Sequence, residues 1–253
     1  MTYPAGQPSW TDLATPMPDQ SKAFYTALFG WHYGDSSEEF GHYAMAFQEG
    51  KLATGLAPIP PGVEMPSAWT VYFASDDIAA DAERVKQLGG QVVMRPMQIA
   101  DQGHMGVFAD PTGATFGLWQ AGHHKGAEAR EGEGSVAWVE VNTRDSARAL
   151  TFYTQLFGAE STPIEGADYH QLRHGERGYA GVSGMGENWE AVAPPHWVTY
   201  FYVADVDRAA QVAQDQGGKV LVAPFDMPYG RMAVLADPAG ATFSVMNPEP
   251  AGA

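Results

Sequence analysis

The stretch FADPTGATFGLW (Phe108–Trp119) and the stretch LADPAGATFSVM (Leu235–Met246) share the run Ala-Asp-Pro-x-Gly-Ala-Thr-Phe, 127 residues apart. Working outward, the same doubling continues. Trp10-Thr11-Asp12 answers Trp138-Val139-Glu140, and Phe24-Tyr25-Thr26-Ala27-Leu28-Phe29-Gly30 answers Phe152-Tyr153-Thr154-Gln155-Leu156-Phe157-Gly158, both at an offset of 128. Trp69 and Tyr72-Phe73 match Trp197 and Tyr200-Phe201, and Gly89-Gly90 matches Gly217-Gly218. The offset falls to 127 at the shared turn, so one residue was lost after Pro96 or Pro224. Ordered matches of this kind mean that the chain is two copies of one domain of about 110 residues, an ordinary domain size.

The two domains are expected at residues 8–120 and 135–247. The joint between them, residues 121–134 (AGHHKGAEAREGEG), is rich in Gly and charge and poor in apolar residues, the composition of a linker. Within the first copy, residues 9–15 alternate as a strand. Ala23, Phe24, Ala27 and Leu28 then recur at helical spacing behind a candidate N-cap at Asp19, and Gly30 stops the helix. Residues 42–47, 52–58 and 69–74 read as strands. Asp77 opens a second helix that ends at Gly89-Gly90, and residues 91–97, 104–109 and 114–119 are strands again. In the turn between the last two, Asp110-Pro111 suits its start and Gly113 a position of positive φ. The order strand–helix–strands therefore occurs twice in each copy, and the class is α+β.

The bounds exclude several functions. The 253 residues carry no cysteine, which removes disulfides, iron–sulfur clusters and thiol nucleophiles. The formal charge of −16 repels nucleic acid and anionic membranes. No stretch reaches the roughly 18 apolar residues of a membrane span. The opening MTYPAGQPSW has neither the basic region nor the apolar run of a signal peptide. The expectation is a cytoplasmic monomer or homodimer acting on a small molecule.

The helix phrase ending Phe29-Gly30-Trp31, the strand running into Asp77 and the turn Asp110-Pro111-Thr112-Gly113, each repeated, resemble the vicinal oxygen chelate superfamily. That superfamily includes glyoxalase I, bleomycin-resistance proteins and extradiol dioxygenases. The resemblance covers about residues 8–120 and 134–247. It implies tandem domains in which two βαβββ modules form a cupped, mostly antiparallel sheet that holds the ligand. Metal-using members place His, Glu or Gln at three matching strand positions. Those positions fall here on Trp10 or Trp138, on Thr70 or Val198, and on Gly117 or Ser244. None is an ordinary ligand, so no family-type metal and no cofactor are expected.

Strand parity groups the remaining candidates. Trp10, Thr70, Tyr72, Trp119, Trp138, Val198, Tyr200 and Tyr202 are expected to line the cups with rings and a few hydroxyls, walls that suit a flat apolar ligand. His104 and Arg231, each after a glycine and leading a strand, are candidates for an anionic group. Asp12 and Glu140, two residues after the tryptophans, are candidate general bases; the alternative is a carboxylate bonded to backbone amides or to a tyrosine hydroxyl. A register shift could place His196, two residues before Val198, at the pocket mouth, and His123-His124 reads as solvated linker. His42 and His170 look paired at 128, but aligning Tyr43 with Tyr169 and Gly55 with Gly181, at an offset of 126, scores better. Three functions stay open: a glyoxalase-like enzyme working without metal, a non-catalytic protein that sequesters a drug or metabolite, and an interaction protein with no small ligand. A metal-dependent lyase or dioxygenase with non-standard ligands is the further alternative.

Overall fold

The computed structural model describes residues 3–186 and 194–248. The first half contains β1 (Pro8–Thr15), α1 (Pro18–Phe29), β2 (His32–Tyr33), β3 (Ala44–Gln48) and β4 (Lys51–Pro58), then β5 (Ala68–Ala74), α2 (Ile78–Gln87), β6 (Gln91–Ile99), β7 (Gly103–Ala109) and β8 (Thr115–Ala121). The second half repeats it: β9 (Val136–Thr143), α3 (Ser146–Phe157), β10 (Glu160–Pro163), β11 (Tyr169–His174), β12 (Arg177–Gly184), β13 (His196–Tyr202), α4 (Val206–Asp215), β14 (Lys219–Met227), β15 (Gly230–Ala236) and β16 (Thr242–Asn247). Each half contributes one eight-stranded sheet, in the orders β2-β3-β4-β1-β5-β8-β7-β6 and β10-β11-β12-β9-β13-β16-β15-β14. The hairpins are antiparallel, while β1–β4 and β5–β8, with β9–β12 and β13–β16, run parallel. This is an α+β fold of mixed, mostly antiparallel sheets.

Two local expectations are corrected. The first helix starts one residue before Asp19, because Pro18 takes the first turn, where its missing N–H costs nothing; Met17 is the N-cap and makes no side-chain cap. His42 adopts a left-handed φ of 59° and lies outside β3. The one-residue difference falls where expected, after Pro224: only 228 and 229 join β14 to β15, while residues 100–102 join β6 to β7.

By compactness the chain divides into two units that each draw on both halves. Unit 1 is Met1–Trp10, Thr70–Gly126 and Trp138–Val198; unit 2 is Thr11–Trp69, Ala127–Ala137 and Thr199–Ala253. In unit 1, α2 packs on α3; in unit 2, α1 packs on α4. The repeated phrases turn out to be the contacts of these units. Gly89 and Gly217 turn the chain at φ of 86° and 84°. Their successors lie close to a strand carbonyl of their own half and to a ring of the other: a Cβ on Gly90 would lie 2.7 Å from the Ala109 oxygen and 3.1 Å from Phe152, and one on Gly218 would lie 2.5 Å from the Ala236 oxygen and 2.7 Å from Phe24.

The Asp-Pro-x-Gly turn does the same with polar groups. In unit 1, Asp110 Oδ1 accepts from the backbone N–H groups of Thr112, Gly113 and Ala114 at 2.7, 2.9 and 3.1 Å. Its Oδ2 accepts from the Tyr153 hydroxyl at 2.9 Å, and that hydroxyl accepts from Trp197 Nε1 at 2.8 Å. In unit 2, Asp237 Oδ2 accepts from Tyr25 at 3.4 Å and from Ser21 at 3.3 Å, and Tyr25 accepts from Trp69 Nε1 at 3.0 Å. Burial first, and the adjacent carboxylate second, push both phenols far above their ordinary range, so both remain donors. Both aspartates are buried. A buried carboxylate needs several donors, and the turn and the partner helix supply them together.

Candidate functional site

Each sheet segment has one face against helices and one face away from them. In unit 1, Phe73 and Phe116 pack toward α3, with Phe116 5.6 Å from Tyr153 and 6.0 Å from Phe152. Alternation places Thr70, Tyr72, Gly117, Trp119, Met105 and Val107 on the opposite face. Met94 and Met97 of β6 pair with Val107 and Met105 and extend that face with side chains 38% and 48% exposed. In unit 2, Phe201, Phe243 and Val245 join the core with α4, leaving Tyr200, Tyr202, Ser244, Met246, Met232 and Val234 on the helix-free face. Val222 and Phe225 of β14, paired with Val234 and Met232, extend it in the same way, 45% and 41% exposed. Val198, at the edge of unit 1, is buried.

The residues at the three family ligand positions do not fit a divalent ion. Tyr72 pairs in register with Gly117, and a Cβ on Gly117 would lie 2.1 Å from the Tyr72 ring. The ring therefore occupies the place from which a carboxylate would reach. Trp10 is buried and meets His124 edge-on, with ring centroids 4.4 Å apart; Trp119 lies 5.2 Å from the same histidine and donates from Nε1 to its carbonyl at 3.0 Å. In the second copy the positions carry a half-buried Trp138, Val198 and Ser244. Among the described residues, no three His, Asp or Glu side chains gather into a potential metal site.

The candidate acids sit beside tyrosines. The Tyr43 hydroxyl donates to Asp12 Oδ2 at 3.2 Å, and it lies over Gly55, which pairs in register with Asp12. Tyr169 lies over Gly181, the register partner of Glu140, and its hydroxyl accepts from Trp138 Nε1 at 2.8 Å. The offset of 126 is thus the structural one for β3 and β11. Both acids are half-buried.

His104 and Arg231 lie on the other face from the rings, because they alternate with Met105 and Met232. Arg231 is engaged by two carboxylates: Nε and Nη2 donate to Asp207 of α4 at 2.7 and 2.9 Å, and Nη1 donates to Asp226 at 2.8 Å. These hydrogen bonds hold the Asp207 carboxyl below its ordinary range. His196 Nδ1 lies 2.9 Å from the Pro194 carbonyl. His123 pairs with Asp101 at 2.9 Å at the surface, but His124 is packed between two tryptophans, which no local spacing signals. Tyr43 and Tyr169 could have been found from their alignment with the glycines they cover.

The profile of the Glyoxalase/Bleomycin resistance protein/Dioxygenase superfamily matches residues 7–118 and 135–245. CFP32 of Mycobacterium tuberculosis (strain CDC 1551 / Oshkosh), provisionally named a glyoxylase, is 41% identical over 256 residues, covering 98% of this chain and 97% of that protein. The anthracycline biosynthesis protein DnrV of Streptomyces peucetius is 38% identical over 261 residues, covering 97% and 94%. Among solved structures, the Mn(II)-bound glyoxalase of Novosphingobium aromaticivorans superposes with a TM-score of 0.67 at 16% identity, over 96% of this chain and 82% of that one. The 2,2′,3-trihydroxybiphenyl 1,2-dioxygenase of Sphingomonas wittichii strain RW1 gives 0.63 at 17% identity, over 96% and 90%. At those identities the structural likeness speaks to the fold.

Proposed function

Because the chain belongs to the glyoxalase/bleomycin resistance protein/dioxygenase superfamily, we propose that it binds a small, flat, aromatic metabolite on the helix-free sheet faces, without the family metal. The observation that carries this reading is the pairing of Tyr72 with Gly117, where a ring stands in the place of a ligand carboxylate. The apolar extension through Met94 and Met97, matched by Val222 and Phe225, supports a wide, flat occupant. The biosynthetic relative acts in the formation of anthracyclines, as its name states, and this favours a polycyclic aromatic ligand. Covering ~200 Å² of such a ligand gives about 5 kcal/mol at ~25 cal/mol per Å². Association entropy takes back a good part, so micromolar affinity is expected.

Titration with a panel of polycyclic quinones, phenols and aromatic acids, read by tryptophan fluorescence alongside metal analysis, tests the proposal. Binding by protein stripped with chelator supports it. Stoichiometric metal that is required for binding overturns it.

A second reading, turnover by proton transfer, rests on Asp12. A half-buried carboxylate that accepts from the Tyr43 hydroxyl at 3.2 Å can take a proton from a bound ligand, becoming a neutral carboxyl and leaving the negative charge on the ligand. In that case Asp12→Asn or Glu140→Gln removes turnover and leaves binding. Unaltered product formation in both variants overturns this second reading.

A further inference from the structure

The two copies differ at the position where their shared phrase diverges. Gly117 has no side chain and lies under Tyr72. Ser244 has a hydroxyl, is 1% exposed, and its Oγ finds no hydrogen-bond partner among the described residues. A buried hydroxyl left unpaired costs about 1–3 kcal/mol, and native proteins keep few of them.

The placement of Ser244 gives that cost a use. In unit 2 it pairs in register with Tyr200 on one side and with Val234 on the other, which puts it on the helix-free face. Outward from it run Val234 and Met232, then the exposed Val222 and Phe225. From β16 to β14 this strip crosses two strand spacings, about 10 Å, the width of a small fused-ring system. Within the strip so named, Ser244 is the group that can hydrogen-bond at the inner end. The orphan hydroxyl of Thr199 lies one residue from Tyr200 and alternates to the helix side, beside Phe201, so it belongs to the core.

Resting on the ligand-binding reading above, we infer that Ser244 is the specificity-determining residue of the second copy, and that its hydroxyl bonds a phenol or quinone oxygen on the edge of a fused aromatic ligand. Tyr200, the register partner of Ser244 on β13, borders that edge. The first copy carries Gly117 at the matching position, so the two faces differ there in the ligand chemistry they accept.

The test compares 1-naphthol with naphthalene by calorimetric titration of the full chain. Wild type is expected to bind 1-naphthol about five- to tenfold more tightly, the worth of one neutral hydrogen bond. Ser244→Ala is expected to erase that preference by losing affinity for 1-naphthol, keep its affinity for naphthalene, and melt at the same or a higher temperature, since it deletes an unpaired group. A preference that survives in Ser244→Ala overturns the inference. So does a lower melting temperature for that variant, which would show the hydroxyl already bonded in the free protein. Equal binding of both probes by wild type overturns the inference and leaves the ligand-binding reading standing. Failure of both probes to bind sinks the two together.

Discussion

Tyr153→Phe removes one oxygen from the centre of unit 1. The Tyr153 hydroxyl donates to Asp110 at 2.9 Å and accepts from Trp197 at 2.8 Å. A hydrogen bond to a buried charge contributes about 1.5–3 kcal/mol, and an indole N–H left without a partner adds about 1 kcal/mol or more to the loss. The expected cost is therefore about 2.5–4 kcal/mol. In a chain of this size that lowers the melting temperature by about 5–16 °C, at roughly 2–4 °C per kcal/mol. The matched change Tyr25→Phe is an internal control. Its bond to Asp237 is longer, 3.4 Å, and Ser21 also donates to the same oxygen at 3.3 Å, so the carboxylate keeps a partner and the loss should be smaller. Urea denaturation of both variants, followed by circular dichroism, measures the difference. The reasoning fails if Tyr153→Phe costs less than about 0.5 kcal/mol, or if Tyr25→Phe costs more than Tyr153→Phe.

Four further outcomes are expected. Gly117→Ala places a methyl 2.1 Å from the Tyr72 ring, and a calorimetric melt should show a loss of about 1–3 kcal/mol from overpacking; an unchanged melting temperature would mean the ring moves freely. Phe152→Ala empties the space over Gly90 and should cost about 3–5 kcal/mol in urea denaturation. Chelator treatment should leave the melting temperature unchanged, because removing a tightly bound ion would lower it by mass action. The Asp237 carboxyl is raised above its ordinary range, chiefly by burial, so the folded state holds that proton more firmly than the unfolded state. Its contribution is fullest below the ordinary value of 3.8 and is lost as pH rises from there through the raised value; Asp237→Asn should flatten the fall in stability across that interval.

Much of the candidate site was legible because strand alternation is local. Two residues apart means the same face, so Tyr72 could be grouped with Thr70, and Asp12 with Trp10, before any partner strand was known. Alternation places His104 and Arg231 off the ring-lined face once the neighbouring strand is in register: each is one residue from a face-lining methionine. Asp207, the carboxylate that engages Arg231, lies 24 residues away, beyond the reach of local spacing. The tyrosine reading of Asp12 was open in the sequence, and the 3.2 Å contact with Tyr43 decides its partner.

The sequence by itself determined the duplication, the order of strands and helices within each copy, the punctuating glycines and the family. All of these are written in spacing along the chain, where the backbone constrains its own neighbours. Only the tertiary structure decided what the repeated phrases are for. The Gly-Gly pair admits the other half's phenylalanine, and the aspartate of the shared turn holds the other half's tyrosine, so each compact unit is assembled from both copies. Those partners are 43 and 212 residues apart for the two aspartates. Where the two copies match, they offer the same donors and acceptors within a half as across halves. The choice between them is made by which surfaces close-pack, and that information is not carried by any single segment.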